Sequence, residues 1–198
     1  MTRDRSESMN PRGGLAGWFD RVRYKEIYRQ ALGLILVAIC AWLAQPGHER
    51  VMLGFALALA GQVFRTYAAG TIFKNRRLAS SGAYAVVRHP LYLGNLLILG
   101  GFVLASGSLL LLAVVALFFI VWYPPAVRYE DAKLERLFGD DWREWRKTTH
   151  AIIPTGFDLR AFMDANWSAK QSLIRNGELY ISVYLAACAA WLWIVAHG

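Results

Sequence analysis

The distribution of apolar and polar residues divides the chain into long hydrophobic runs separated by basic segments. Five runs contain almost no charged side chains, at residues 27–44, 51–73, 91–106, 109–123 and 179–195. As a helix, the first run would extend about 27 Å, close to the ~30 Å hydrocarbon core of a bilayer. The runs at 91–106 and 109–123 are shorter than the ~20 residues that a full span needs, so we expect these helices to continue into less apolar sequence. The pattern predicts an all-α integral membrane helical bundle with about five transmembrane helices.

Turn signals and polar stretches suggest how the chain is organised around these runs. Ser106-Gly107-Ser108 predicts a tight turn between the third and fourth helices, whereas Pro124-Pro125 predicts that the fourth helix ends or bends there. The mixed stretch at 127–150 has apolar residues at helical spacing, with Gly139 as a stop signal. It is typical of a cytoplasmic cap at the membrane surface. We divide the chain into an N-terminal cytoplasmic interfacial segment (1–26), a membrane-embedded core (27–154), and an amphipathic stretch with an additional transmembrane helix (155–198).

Composition agrees with a membrane protein and offers no metal site. Hydrophobic residues make up 56% of the chain and charged residues 18%, compared with about 45–50% and about 25% in soluble domains. Cys40 and Cys188 both lie within apolar runs, without the spacing of metal ligands, and the four histidines are scattered. We therefore expect no metal site, and the two cysteines are typical of small buried hydrophobic residues.

The net charge of +8 could indicate a nucleic-acid partner, but the positions of the charges indicate membrane topology instead. Seven Lys and Arg residues lie at the N-terminal end (with Arg29 counted there), one between the first two runs, four between the second and third, none between the third and fourth, and nine between the fourth and fifth. This alternation places 20 basic residues on one side and 1 on the other. The positive-inside rule then predicts a cytoplasmic N-terminus in the inner (cytoplasmic) membrane and no role in nucleic-acid binding.

The segment 78–94 is the most informative candidate site. Pro90 suits the first position of a helix, and the N-terminus of that helix presents free N–H groups and a positive dipole end to the preceding loop. Arg88 and His89 add cationic donors, so a carboxylate or phosphate would bind well there. Tyr84 and Tyr92 flank the position with aromatic faces. The alternative is that a basic residue before Pro only marks the start of a membrane helix.

Arg65 lies within the second apolar run. A charged residue inside a span is a functional hypothesis by default. Arg65 is, however, only two turns from the helix end, so its side chain could also extend to the membrane surface.

Two sequence blocks resemble the isoprenylcysteine carboxyl methyltransferases and the related phospholipid N-methyltransferases. The first block follows the pattern L-x3-G-x-Y-x3-R-H-P-x-Y-x-G at Leu78, Gly82, Tyr84, Arg88, His89, Pro90, Tyr92 and Gly94. The second follows E-x3-L-x3-F-G-x2-[YW]-x2-[YW] at Glu130, Leu134, Phe138, Gly139, Trp142 and Trp145. The resemblance covers about residues 65–154, and one apolar hairpin joins the two blocks.

The resemblance implies a membrane-embedded enzyme that binds S-adenosylmethionine and methylates a lipophilic or lipid substrate reached from the bilayer. Together with the local chemistry, it implies cofactor contacts at Leu78, Tyr84, Arg88, His89, Pro90, Leu91, Tyr92 and Glu130. Arg88 and His89 would hold the methionyl carboxylate, and Glu130 would accept hydrogen bonds from the amino group or the ribose hydroxyls. Taken alone, Glu130 could equally be a surface carboxylate paired with Lys133. We assign no catalytic acid or base.

The chain departs from the family at the substrate position. The arginine that faces the substrate in the protein-methylating members is replaced by Ala126. Arg128, and with less support Arg65, are then the candidates for holding an anionic substrate head.

Two other functions compete with this interpretation. Sterol-type reductases carry a similar R-H-P-x-Y-x-G block and would bind NADPH at the same place, but they have a basic run where this chain has Glu130-Asp131. A non-catalytic membrane subunit would explain the apolar runs but not the two polar blocks.

The charge bias predicts the orientation of both termini. With five spans and a cytoplasmic N-terminus, the C-terminus lies outside, so a C-terminal alkaline phosphatase fusion should be active and a green fluorescent protein fusion dark. The opposite pattern would mean that the last apolar run does not cross the membrane.

Overall fold

The computed structural model describes residues 26–44, 48–72, 77–154 and 156–197, and the regular structure in these ranges is helical. The helices are α1 (Glu26–Trp42), α2 (His48–Thr71), α3 (Ala83–Val86), α4 (Pro90–Ser106), α5 (Leu109–Phe138), α6 (Asp140–Thr148), α7 (Leu159–Met163), a π-helix (Lys170–Arg175) and α8 (Glu178–His197). Except for Glu26, the predicted interfacial segment 1–26 lies outside the described residues.

The five predicted apolar runs form α1, α2, α4, α5 and α8. Among the described residues, three helices are long and apolar enough to cross a membrane, at Glu49–Thr71, Leu109–Phe138 and Glu178–Ala196; the apolar α4 is shorter. Large apolar side chains are exposed along these helices, for example Leu59, Ile120 and Val183. Such surface is compatible with lipid rather than water. The protein is therefore an integral membrane helical bundle, as the sequence predicted.

The fourth predicted span does not end at the two prolines. Helix α5 continues through Pro124 and Pro125 and ends only at Phe138, where Gly139 adopts a φ of 53°. Each proline removes one backbone N–H from the helix, but membrane helices tolerate this loss where neighbouring groups satisfy the freed carbonyls. Residues 126–138 therefore continue the helix beyond its apolar part and extend toward the start of α4. The end of the helix before Gly139 agrees with the prediction.

Helices α2 and α4 form the closest packing of the bundle through small residues. A methyl group built on Gly101 would collide with the carbonyl oxygen of Gly54 and lie 2.9 Å from the Cβ of Ala58. A methyl group on Gly61 would lie 2.8 Å from the carbonyl oxygen of Gly94. Small residues allow backbones to approach closely in lipid, where van der Waals contact replaces the hydrophobic effect as the driving force. This contact sets the position of the N-terminal end of α4.

The residues after 155 pack against α1 and α2. Tyr184 of α8 donates a hydrogen bond to the carbonyl oxygen of Leu34 (2.7 Å), and the Trp42 and Trp191 rings stack with centroids 5.3 Å apart. The π-helix is attached to α2 by the Ser172 hydroxyl, which donates to the carbonyl oxygen of Thr66 (2.7 Å). The C-terminal helix, whose role the sequence left open, thus closes the bundle beside α1 and α2.

Neighbouring glycines in α4 provide a matched test of this packing. Gly101→Ala should lower the unfolding temperature in detergent, because the added methyl meets backbone atoms of α2 and such overpacking costs about 1–3 kcal/mol. Gly100→Ala should be neutral or stabilising, since its methyl would lie 3.8 Å from Leu57 and alanine favours the helix by ~1 kcal/mol. Equal unfolding temperatures for the two variants would contradict the close contact.

Candidate functional site

The two polar sequence blocks meet at the N-terminal end of α4. His89 is the N-cap residue of this helix, and Glu130 and Asp131 lie in the last part of α5. The Nε2 of His89 is 3.0 Å from the Oδ1 of Asp131, and its Nδ1 is 3.4 Å from the Oε2 of Glu130. Basic and acidic groups from the two blocks therefore lie within ion-pair distance of each other.

The guanidinium of Arg88 is paired with groups of the protein itself. Its guanidinium donates to both carboxylate oxygens of Asp131 (2.9 and 3.3 Å) and to the carbonyl oxygen of Thr149. The backbone N–H groups of Arg88 and His89 donate to the carbonyl oxygens of His150 and Ala151. We predicted Arg88 as a cofactor contact, and it lines the pocket described below. Its bonds to Asp131 also hold the loop against α5.

His89 is protonated more readily than an ordinary histidine. Burial by itself would lower the pKa of His89, but the hydrogen bonds to Asp131 and Glu130 and the charges of these carboxylates raise it above the usual value of 6.5. Because both ring nitrogens face carboxylates, the imidazolium form can donate to both. The ring also stacks on Tyr92, with centroids 5.4 Å apart.

All eight residues that we predicted as cofactor contacts line one cavity of about 150 Å³, which we call the upper pocket: Leu78, Tyr84, Arg88, His89, Pro90, Leu91, Tyr92 and Glu130. Its remaining wall consists of Glu26, Ile72, Arg77, Ala79, Tyr129, Lys133, Leu134, Phe138 and Trp145. Tyr84 is buried, and desolvation raises its pKa, so its phenol stays neutral. The sequence did not single out Trp145 as a contact, although it belongs to the second block.

Arg29 of α1 joins this site, and we did not predict it. Its Nη2 donates to the hydroxyl of Tyr92 (2.7 Å), and this hydroxyl donates to the Oε1 of Glu130 (2.7 Å). The guanidinium also lies over the Tyr92 ring, 4.8 Å from the centroid. In the sequence, Arg29 resembles the basic residues that precede the first span, so its contact with Tyr92 was not predicted. Its position inside the apolar run 27–44 is the signal that could have indicated a role in the site.

The two predicted substrate contacts have different surroundings. Arg128 is exposed and is absent from the wall of the upper pocket. Arg65 is buried and forms a two-point ion pair with Glu178 (2.7 and 3.2 Å), and its third nitrogen donates to Asn95. It lines a second cavity, which we call the lower cavity. Within the described part of the chain, no group of three or more His, Cys, Asp or Glu side chains could hold a metal ion.

Comparison with known proteins places these elements in a family. The model of the phospholipid methyltransferase family matches residues 28–141, which include both polar blocks. The chain is similar to the cobalt-zinc-cadmium resistance protein CzcN of Cupriavidus metallidurans, with 39% identity over 104 residues, covering 52% of this chain and 47% of that protein. It is 27% identical over 189 residues to the nickel-cobalt-cadmium resistance protein NccN of Alcaligenes xylosoxydans xylosoxydans, covering 84% and 85%.

A third relative is a protein-S-isoprenylcysteine O-methyltransferase of Schizosaccharomyces pombe. It is 34% identical over 105 residues, covering 50% of this chain and 42% of that protein. The chain therefore spans about half the length, or less, of CzcN and of this methyltransferase, but most of NccN. No solved structure matches the chain.

The surroundings of His89 predict a pH-dependent stability. Because its folded-state pKa is raised, the protonated side chain contributes fully below the unfolded-state pKa of about 6.5, and the contribution is lost as the pH rises through the folded-state pKa. The unfolding temperature in detergent should therefore fall as the pH is raised from mildly acidic to alkaline values. His89→Gln should flatten this dependence and cost roughly 1.5–3 kcal/mol at low pH.

The exposed His150 provides the control, since only its backbone carbonyl enters the network. His150→Gln should keep the pH dependence of the wild type. An unchanged profile in His89→Gln would mean that another group carries it.

Proposed function

Since the chain belongs to the phospholipid methyltransferase family, we propose that it transfers a methyl group from S-adenosylmethionine to a lipophilic acceptor that enters from the bilayer. The observation that carries this proposal is the meeting of both sequence blocks in the upper pocket, although they lie on different helices. The name of the fission-yeast relative, a methyltransferase acting on isoprenylcysteine, supports the same class of reaction.

The residues of the upper pocket fit the chemical groups of S-adenosylmethionine. The side chain of Glu130 keeps 30% of its surface exposed at the pocket and can accept from an ammonium group or ribose hydroxyls. In the first turn of α4, Pro90 has no N–H group and those of Tyr92 and Leu93 donate to the carbonyl oxygen of His89, which leaves the N–H of Leu91 to bind a carboxylate. The Nε1 of Trp145 is buried without a hydrogen-bond partner among the described residues and can donate to a ligand. Tyr84 and Phe138 offer aromatic surface for an adenine ring.

The chain would contribute positioning and exclusion of water rather than acid–base chemistry. When bound, S-adenosylmethionine supplies a methyl group on a sulfonium that a nucleophile can displace directly. The Arg29–Tyr92–Glu130 hydrogen bonds hold the Glu130 carboxylate in one orientation. Leu78, Leu91 and Leu134 form an apolar wall that limits water at the reaction centre. We assign no general base; a carboxylate acceptor would need none, whereas an amine must first lose its proton.

We also propose that the upper pocket opens on the cytoplasmic side of the inner membrane. The basic segments before α1, between α2 and α4, and between α5 and α8 support this orientation. A lipophilic acceptor could then approach from the bilayer while the water-soluble cofactor enters from the cytoplasm.

The reductase alternative is less favoured. The Glu130 carboxylate would repel the phosphates of NADPH at close range. The family match also concerns methyltransferases.

Glu130→Gln tests the cofactor assignment because it removes the charge and keeps the size. We expect it to weaken S-adenosylmethionine binding, measured by calorimetry on the purified protein, by roughly 10-fold or more, since a charge-assisted hydrogen bond is lost. NADPH binding, if the protein binds this nucleotide at all, should be unchanged or improved.

Glu135→Gln is the matched control. Glu135 lies on the same helix but pairs with Arg143 at the surface (3.0 Å), so this variant should bind S-adenosylmethionine like the wild type. The cofactor assignment fails if both variants retain wild-type affinity, or if the wild type does not bind S-adenosylmethionine.

A further inference from the structure

Lys133 is a cation in the wall of the upper pocket that has no partner among the described residues. It lies in α5 and is partly exposed, and neither an ion pair nor a hydrogen bond joins its ammonium group to another described side chain. The other described cations of this wall have partners. Arg88 and His89 both bind Asp131, and Arg77 has contacts of its own. The ammonium group of Lys133 is therefore available to an anion in the pocket.

The position of Lys133 on α5 makes its lack of a partner informative. It follows Glu130 by three residues, so both side chains lie on one face of the helix, with Cβ atoms about 5–6 Å apart. Opposite charges at this spacing commonly pair with each other. Glu130 instead accepts from the hydroxyl of Tyr92 (2.7 Å) and faces the Nδ1 of His89 (3.4 Å). The upper pocket thus has a carboxylate and a free ammonium group side by side on one helix.

This arrangement matches the charges of an α-amino acid. The amino-acid end of S-adenosylmethionine carries an ammonium group and a carboxylate on the same carbon, so it needs an acceptor and a cation that lie close together. Glu130 can accept from the ammonium group, and Lys133 can donate to the carboxylate. The N–H of Leu91 is a neutral donor, and Lys133 would add a positive charge beside it.

We propose that Lys133 binds the carboxylate of S-adenosylmethionine and makes the upper pocket selective for a cofactor that carries this group. The inference rests on the proposed function and adds a specificity-determining residue to the same site. Lys133 occupies a variable position of the second sequence block, between Glu130 and Leu134, so the motif does not identify it. Since the carboxylate lies at the end of the cofactor's amino-acid chain, the contact fixes the orientation of the cofactor and takes no part in breaking the methyl–sulfur bond.

The first experiment compares two ligands on the wild-type protein in detergent. Calorimetry measures the affinity for S-adenosylmethionine and for decarboxylated S-adenosylmethionine, which lacks only the carboxylate. We expect S-adenosylmethionine to bind roughly 5- to 10-fold more tightly, less than a buried charge-assisted hydrogen bond would give, because water screens a partly exposed lysine. Equal affinities, or tighter binding of the decarboxylated compound, would overturn the proposal without any variant.

Substitutions at Lys133 then assign the preference to this residue. Lys133→Gln should weaken binding of S-adenosylmethionine by the same roughly 5- to 10-fold and leave binding of the decarboxylated compound unchanged, so that the preference disappears. Lys133→Arg keeps the charge and should keep the preference. Because Lys133 has no partner to lose, both variants should unfold at the temperature of the wild type.

Lys147→Gln is the matched control. Lys147 is an exposed lysine of α6 that pairs with Glu144 (2.6 Å) and does not line the upper pocket. This variant should retain both affinities. A preference that survives in Lys133→Gln would show that another group binds the carboxylate, and equal losses for both ligands would show that Lys133 acts on the shape of the pocket instead.

The same measurements separate this inference from the proposed function. A wild-type protein that binds S-adenosylmethionine without regard to its carboxylate would refute the role of Lys133 alone. A wild-type protein that binds neither compound would refute the proposed function, and the role of Lys133 with it.

Discussion

An ionic cluster at the N-terminal end of α4 connects the two elements between which the upper pocket forms. His89 and Arg88 precede the helix, and their side chains bind Glu130 and Asp131 from α5. Charges with little exposure require partners, since an unpaired ion away from water is strongly destabilising. The cluster therefore connects the loop before α4 to the extended part of α5. The upper pocket forms between these two elements.

Two features of the helices bring the cluster together. The glycine contacts between α2 and α4, including Gly54 with Gly101, place the two backbones close together and set the position of α4. Helix α5 passes through Pro124 and Pro125 without ending, so Glu130 reaches His89 on a rigid helix rather than on a loop. Groups on regular helices are positioned more precisely than groups on loops, which suits a reaction that depends on alignment.

The buried arginines show how the bundle distributes its charge. Arg65 and Glu178 form a neutral pair that connects α2 to α8. Arg29 has only the Tyr92 hydroxyl as a hydrogen-bond partner among the described residues. Arg65 is therefore paired directly with a carboxylate, whereas Arg29 reaches the Glu130 carboxylate through the Tyr92 hydroxyl. The family match ends at residue 141, so Glu178 lies outside the part that the family shares.

The sequence by itself determined the fold class, the apolar helices and the polar blocks that line the upper pocket. These properties depend on local patterns: the length of an apolar run, a proline at a helix start, a glycine after a helix end. The tertiary structure decided which charges meet. The guanidinium of Arg88 pairs with Asp131. Arg65 pairs with Glu178, which lies more than 110 residues away in the sequence. Arg29 is buried, although the basic segment before it is typical of a membrane flank. Local pattern cannot distinguish these cases, because the environment of an arginine depends on which helix packs beside it.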